Sequence, residues 1–153
     1  MKVAIIGQGY VGLTIAAFAS RHHQVVGFDN NSVNVARLNQ GISHIEGVES
    51  SDLAAVIKAG NYVATTQIND LAGAEIVVIA VPTPLDAKRN PDLSFVHQAA
   101  DLIAKNVKSA ALIVNESTSY PGTLRTEIAA RIKGVEHLFA SSPERVDPGN
   151  TEW

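Results

Sequence analysis

Six short apolar runs, at 2–6, 25–29, 62–66, 75–81, 111–115 and 137–140, recur along the chain, and Val, Ile and Ala dominate several of them without polar alternation. A strand with one wet face alternates; a run that does not alternate is buried on both faces, as in parallel sheets covered by helices. Between the runs the period changes. Phe95, Ala99, Leu102 and Ile103 recur at helical spacing within 94–107. Leu124, Ile128 and Ile132 do the same within 122–133, where Glu127 and Arg131 stand as a favourable i,i+4 pair. A further helix opens near Val11, and 52–59 reads as a short helix with Ser51 as N-cap and Gly60 just past its end. The stretch 41–50 is the least patterned and predicts a loop or an extra turn of helix. Strands alternating with helices predict βαβ units and a parallel sheet. Six strands in two halves predict a doubly wound, Rossmann-type α/β fold, strand order 3-2-1-4-5-6, with helices on both faces.

Composition narrows this without changing it. A chain of 153 residues is one domain's worth and can bury about 68–70% of its unfolded surface. We expect the domain to occupy 1–143, with 144–153 beginning a connection to a further, absent region. There are no cysteines, so a disulfide framework, a thiolate metal site and a cysteine nucleophile are all excluded within these residues. No apolar run approaches the roughly 20 residues of a membrane span. The net charge of −3 disfavours a general nucleic-acid binder. The first strand runs straight into a glycine-rich turn, leaving no room for a signal peptide, and the expected setting is cytoplasmic.

That turn carries the first chemistry. Gly7-Gln8-Gly9-Tyr10-Val11-Gly12 sets G-x-G-x-x-G directly after a strand and before a helix. Gly7 permits the tight bend, Gly9 lets the backbone approach a pyrophosphate, and Gly12 allows close helix–strand packing. The helix start offers unpaired N–H groups and a positive dipole end to phosphates, so no lysine is needed. The plain alternative is a sterically convenient turn. Asp29, about 20 residues on at the end of the second strand, supplies the acid that accepts hydrogen bonds from adenosine ribose hydroxyls. Its alternative role is a helix cap or turn residue. No arginine follows in Asn30-Asn31-Ser32 to neutralise a 2′-phosphate, which favours NAD over NADP. The glycine spacing and the strand count argue against a methyltransferase.

The later loops are more specific. Val81-Pro82-Thr83-Pro84 and Pro91-Asp92-Leu93-Ser94-Phe95-Val96 follow the fourth run, and Asn115-Glu116-Ser117-Thr118-Ser119-Tyr120-Pro121-Gly122-Thr123 the fifth. Ser141-Ser142-Pro143-Glu144-Arg145-Val146-Asp147-Pro148-Gly149-Asn150 follows the sixth. Together with the glycine turn, these motifs resemble the UDP-glucose/GDP-mannose dehydrogenase family over essentially the whole chain. The resemblance implies an NAD-dependent oxidation of a UDP-sugar C6 alcohol to the uronate, with two NAD per substrate, in polysaccharide biosynthesis. It implies that Gly7, Gly9, Tyr10, Val11, Gly12, Asp29, Thr83 and Thr118 contact the cofactor. Thr118 and Glu144 take the catalytic roles, and Glu144 and Arg145 face the substrate. The run ending in Asp147-Pro148-Gly149-Asn150 is closer to the branch acting on UDP-N-acetylhexosamines. Where members acting on UDP-glucose carry a second glutamate, this chain has Pro148. The family's cysteine belongs to regions downstream, as does the helical region through which relatives form homo-oligomers. These residues are therefore expected to bind NAD without completing the oxidation.

Other features carry less. Thr118 can equally cap the helix near Pro121, and Glu144 can be a surface carboxylate. His22 and His23 suit a helix C-terminus better than a metal site. His44, His97 and His137 are isolated. Lys88-Arg89 is a solvated loop pair or a contact to a substrate phosphate. None of Tyr10, Tyr62 and Tyr120 is followed four residues on by lysine, so a tyrosine–lysine dehydrogenase mechanism has no pair. The competing reading is a stand-alone NAD-binding or redox-sensing module. It accounts for Gly7–Gly12 and Asp29 but leaves Thr118 and the Ser-Pro-Glu segment without a purpose.

Overall fold

The computed structural model describes residues 1–144. Strands β1 (Lys2–Ile6), β2 (Gln24–Phe28), β3 (Tyr62–Thr65), β4 (Ile76–Ile79), β5 (Leu112–Asn115) and β6 (Leu138–Ser141) form one sheet. Its order is β3-β2-β1-β4-β5-β6, all pairs parallel, as the patterning predicts. Helices α1 (Tyr10–Ala19), α2 (Ser32–Asn39), α3 (Ser50–Lys58) and α4 (Ser94–Asn106) carry the crossovers, with a 3-10 turn at Ile68–Leu71 and a π-helical turn at Leu124–Ala129.

The period of two in the strands divides the core between two faces. Ala4, Ile6, Val77, Ile79 and Ile113 pack against Val96, Ala99, Ala100 and Ile103 of α4 and against Ile128. Val3, Ile5, Val25 and Val78 face Leu13 and Ala16 of α1, Leu38 of α2 and Leu53 of α3. Covering both faces in this way is what lets the strands dispense with polar alternation.

Several local expectations change. Helix α2 has no counterpart in the hydrophobic pattern; Asn31, not Asp29, caps it, its Oδ1 accepting from the N–H groups of Val33 (3.0 Å) and Asn34 (3.2 Å). Ser51 is not the cap of α3. The N–H groups of Asp52 and Leu53 both reach Glu49 O at 3.1 Å, which winds Ser51 into the helix and leaves Glu49 at the cap. Gly60 takes φ 73° after the last turn, as expected. The helix expected over 122–133 shortens to a wide turn at Leu124–Ala129 that still buries Ile128. Glu127 and Arg131 do not pair with each other. Each turns to α4 instead, Glu127 Oε2 lying 2.8 Å from His97 Nε2 and Arg131 Nη1 3.5 Å from Asp101 Oδ1.

At the β3 border the last residue of α2 acts on the sheet directly. Asn39 Nδ2 donates to Ala64 O and Asn39 Oδ1 accepts from Ala64 N–H, both at 2.9 Å.

Candidate functional site

The glycine turn sits at the carboxyl end of β1, at the centre of the sheet, where α1 and α4 leave opposite faces. Gly7 has φ 95°, and a Cβ there would collide with the Ala80 carbonyl. A Cβ on Gly12 would collide with the Gly7 carbonyl, so the start of α1 can lie on the turn only with glycine at that position. Gly9 differs from both: nothing lies within 4 Å of where its Cβ would stand. The first bond of α1 runs from Leu13 N–H to Gly9 O (2.9 Å), so the N–H groups of Tyr10, Val11 and Gly12 precede it and have no partner within the helix. Open space before these donors is a cradle for a pyrophosphate.

The cradle opens into a cleft of about 680 Å³, within the size range of cofactor sites. Gly7, Gly9, Tyr10, Val11 and Asp29 all line it. Gly12 lies beneath, shaping the turn from inside. Asp29 stands one residue past β2 with both carboxylate oxygens held: Oδ2 accepts from Gln8 N–H (2.9 Å) and Oδ1 from Asn31 N–H (2.8 Å). The turn role weighed for Asp29 is therefore real, and it leaves a lone pair on each oxygen for a ligand. Among the described residues no lysine or arginine lines the cleft.

Two participants were missed at the sequence level. Gln8 is fully buried, and its side chain crosses β2 at Gly27, where a Cβ would stand 2.5 Å from Gln8 Oε1. Tyr62 on β3 donates its hydroxyl to that oxygen at 2.8 Å. Burial pushes the Tyr62 phenol far above its ordinary value, and the charge of Asp29 pushes it the same way. The available signal was Gly27, since a glycine inside a strand marks close approach by another group.

The other half of the sheet presents a different picture. Thr83, Thr118 and Glu144 lie beyond β4, β5 and β6 respectively, as their motifs suggest, but none lines the cleft. Thr118 and Glu144 are exposed, and Thr83 is half-buried. Thr118 does not cap the following turn, which begins at Leu124 with Thr123 before it. Buried Ser117 joins the two loops: its Oγ accepts from Val81 N–H (3.0 Å) and donates to Val81 O (2.8 Å). Glu116 lies beside Glu144, whose N–H donates to Glu116 O at 3.3 Å. Partial burial raises the Glu116 carboxyl above its usual range; a Ser142 hydrogen bond opposes this and the Glu144 charge adds to it. Arg145, Asp147 and Pro148 lie outside the described residues. Among the described residues no group of His, Asp and Glu is placed to hold a metal, and no helix is long and apolar enough to cross a membrane.

Parallel order, glycine cradle and acid at the end of β2 define a dinucleotide-binding domain of the dehydrogenase type. The model of the UDP-glucose/GDP-mannose dehydrogenase family, NAD binding domain, matches residues 1–152. The chain belongs to that family and is its NAD-binding domain. It is 35% identical to the UDP-N-acetyl-D-glucosamine 6-dehydrogenase of Pseudomonas aeruginosa, the match covering 99% of this chain and 37% of that protein. It is 43% identical to the UDP-N-acetyl-D-mannosamine dehydrogenase of Escherichia coli K12, covering 96% of this chain and 38% of the relative. The solved structure of a UDP-D-ManNAc dehydrogenase from Pyrococcus horikoshii superposes with a TM-score of 0.87 at 36% identity, over 97% of this chain and 37% of that one. The chain thus spans little more than a third of the relatives it matches.

Proposed function

We propose that residues 1–143 form the NAD-binding unit of a UDP-N-acetylhexosamine 6-dehydrogenase, with 144–153 leading toward the part that handles the sugar. The observation that carries this is Asp29: a carboxylate fixed at the cleft by two backbone donors, each oxygen keeping a free lone pair, with no lysine or arginine among the described residues lining the cleft. Such a group accepts from the 2′- and 3′-hydroxyls of an adenosine ribose and repels a 2′-phosphate. The N–H groups of Tyr10 and Val11 hold the pyrophosphate over the turn that Gly12 shapes, and Thr83 receives the cofactor beyond β4. NAD bound in this way supplies the hydride acceptor.

At the far end Thr118 orients a water or a substrate oxygen, and Glu144 with Arg145 faces the sugar. These 153 residues contain no cysteine, so a route through a covalent thiol intermediate draws its nucleophile from elsewhere in the enzyme. The relatives' names favour a UDP-N-acetylhexosamine over UDP-glucose.

Calorimetric titration of the chain with NAD and NADP tests the cofactor assignment: NAD should bind at least tenfold more tightly, and tighter NADP binding overturns the role given to Asp29. The chain alone should form no UDP-uronate from UDP-N-acetylglucosamine or UDP-N-acetylmannosamine with NAD. Product formation would overturn the division of labour.

A further inference from the structure

We propose that Gln8 and Tyr62 are positioning residues for the ribose site, forming a buried relay that runs from β3 through the glycine turn to the carboxylate of Asp29. The inference rests on the reading of Asp29 as the ribose acceptor.

Gln8 occupies the first variable position of the glycine motif, between Gly7 and Gly9, where the chain passes directly beneath the cleft. Its side chain turns inward and is fully buried. Both amide protons are used, and the amide oxygen has a partner. Nε2 donates to Ile5 O (3.1 Å) and Gly7 O (3.0 Å), and Oε1 accepts from Tyr62 Oη at 2.8 Å. Its backbone N–H meanwhile donates to Asp29 Oδ2. One residue therefore ties together β1, β2 and β3 at the point where the ligand-facing carboxylate is set.

The geometry makes the coupling directional. With the side chain pinned at both ends, the Gln8 peptide plane has one orientation, and that orientation aims its N–H at Asp29. Without the Tyr62 hydroxyl, Oε1 is a buried acceptor with no partner, which costs free energy unless the side chain rearranges. Rearrangement releases the peptide, and Asp29 keeps only its bond from Asn31 N–H. The carboxylate can then rotate, and its free lone pairs no longer match two ribose hydroxyls. Gly27 supplies the space this arrangement needs, since any side chain there meets both Gln8 and the Tyr62 hydroxyl, the latter 2.8 Å from the Cβ position. Tyr62 is itself only 4% exposed and does not line the cleft, and its hydrogen bond toward the site goes to Gln8. The phenol stays protonated throughout the neutral range and always donates.

The test is a double-mutant cycle on the full 153-residue chain, titrated with NAD and with NAD lacking the adenosine 2′-hydroxyl. Tyr62→Phe should weaken NAD binding by about three- to tenfold, the size of one net hydrogen bond. In an Asp29→Ala background the same change should alter binding by less than about twofold, and with the 2′-deoxy compound its effect should shrink. Gln8→Met, which keeps length and volume, should behave like Tyr62→Phe and serves if that variant does not fold. Circular dichroism and Tm identify folded variants. Equal losses in both Asp29 backgrounds, or none in either, overturn the relay while Asp29 keeps its role. If Asp29→Ala itself leaves NAD affinity unchanged, the ribose reading falls, and the relay with it.

Discussion

The two halves of the sheet hold their candidate site residues in opposite ways. Around β1, β2 and β3, Asp29, Gln8 and Tyr62 are locked by hydrogen bonds across three strands, and the cleft lies directly above them. Beyond β4, β5 and β6, Thr83, Thr118 and Glu144 stand on loops outside that cleft, and the latter two are exposed. Recognition of an invariant group such as a ribose benefits from pre-organisation, because little ordering cost remains at binding. Groups that must meet a changing substrate stand better on loops carried by a rigid scaffold. Ser117 differs from these loop residues: it is buried and joins the β4 loop to the β5 loop without lining the cleft.

The largest effect should come from the turn that organises the first half. Gly12→Val should abolish measurable NAD binding, because the added atoms strike the Gly7 carbonyl and push α1 off the turn; near-native affinity by calorimetry would refute the close packing. Asp29→Ala comes next, weakening NAD by roughly 10- to 100-fold, about 1.5–3 kcal/mol for bonds to a charged acceptor. Ser117→Ala should cost about 1–3 kcal/mol in urea unfolding by leaving Val81 N–H unpaired, and it sharpens the comparison if NAD affinity changes less than stability does.

A fourth effect depends on pH. Above pH 10, the ordinary phenol value, the unfolded chain releases the Tyr62 proton while the folded chain retains it. Stability that is complete below pH 10 therefore declines as pH rises toward the folded value, and Tyr62→Phe should flatten that decline in thermal melts. Smallest is Thr118→Ala, which should shift Tm by less than the equivalent of about 0.5 kcal/mol, as exposed substitutions do. A loss of NAD affinity as large as that of Asp29→Ala would erase the contrast between the halves.

Much of the first half was legible because its constraints are local. The positive φ of Gly7 and the close approach of Gly12 to the Gly7 carbonyl are set within six residues, and Asp29 sits at a fixed distance along the βαβ unit. The strand order was legible for the same reason, since unbroken apolar runs such as Ile76–Ile79 have few other places to go. What was hidden depends on partners far apart in the chain. Gln8 and Tyr62 are 54 residues apart, and nothing in either segment signals the other. Helix α2 buries only Val35 and Leu38, too little to announce a period. Glu127 and Arg131 obeyed the spacing rule but found His97 and Asp101 on α4, where tertiary packing overrode the local pair.

Asn39 has a consequence for the molecule among its own kind. An edge strand invites neighbours because its outward N–H and C=O groups are a template for another chain. At Ala64 both groups are already taken by a side-chain amide that imitates one more rung of the ladder. The β3 border is thereby blunted against strand addition at little cost in sequence, and Asn39→Ala should raise the tendency to aggregate well before it changes the fold.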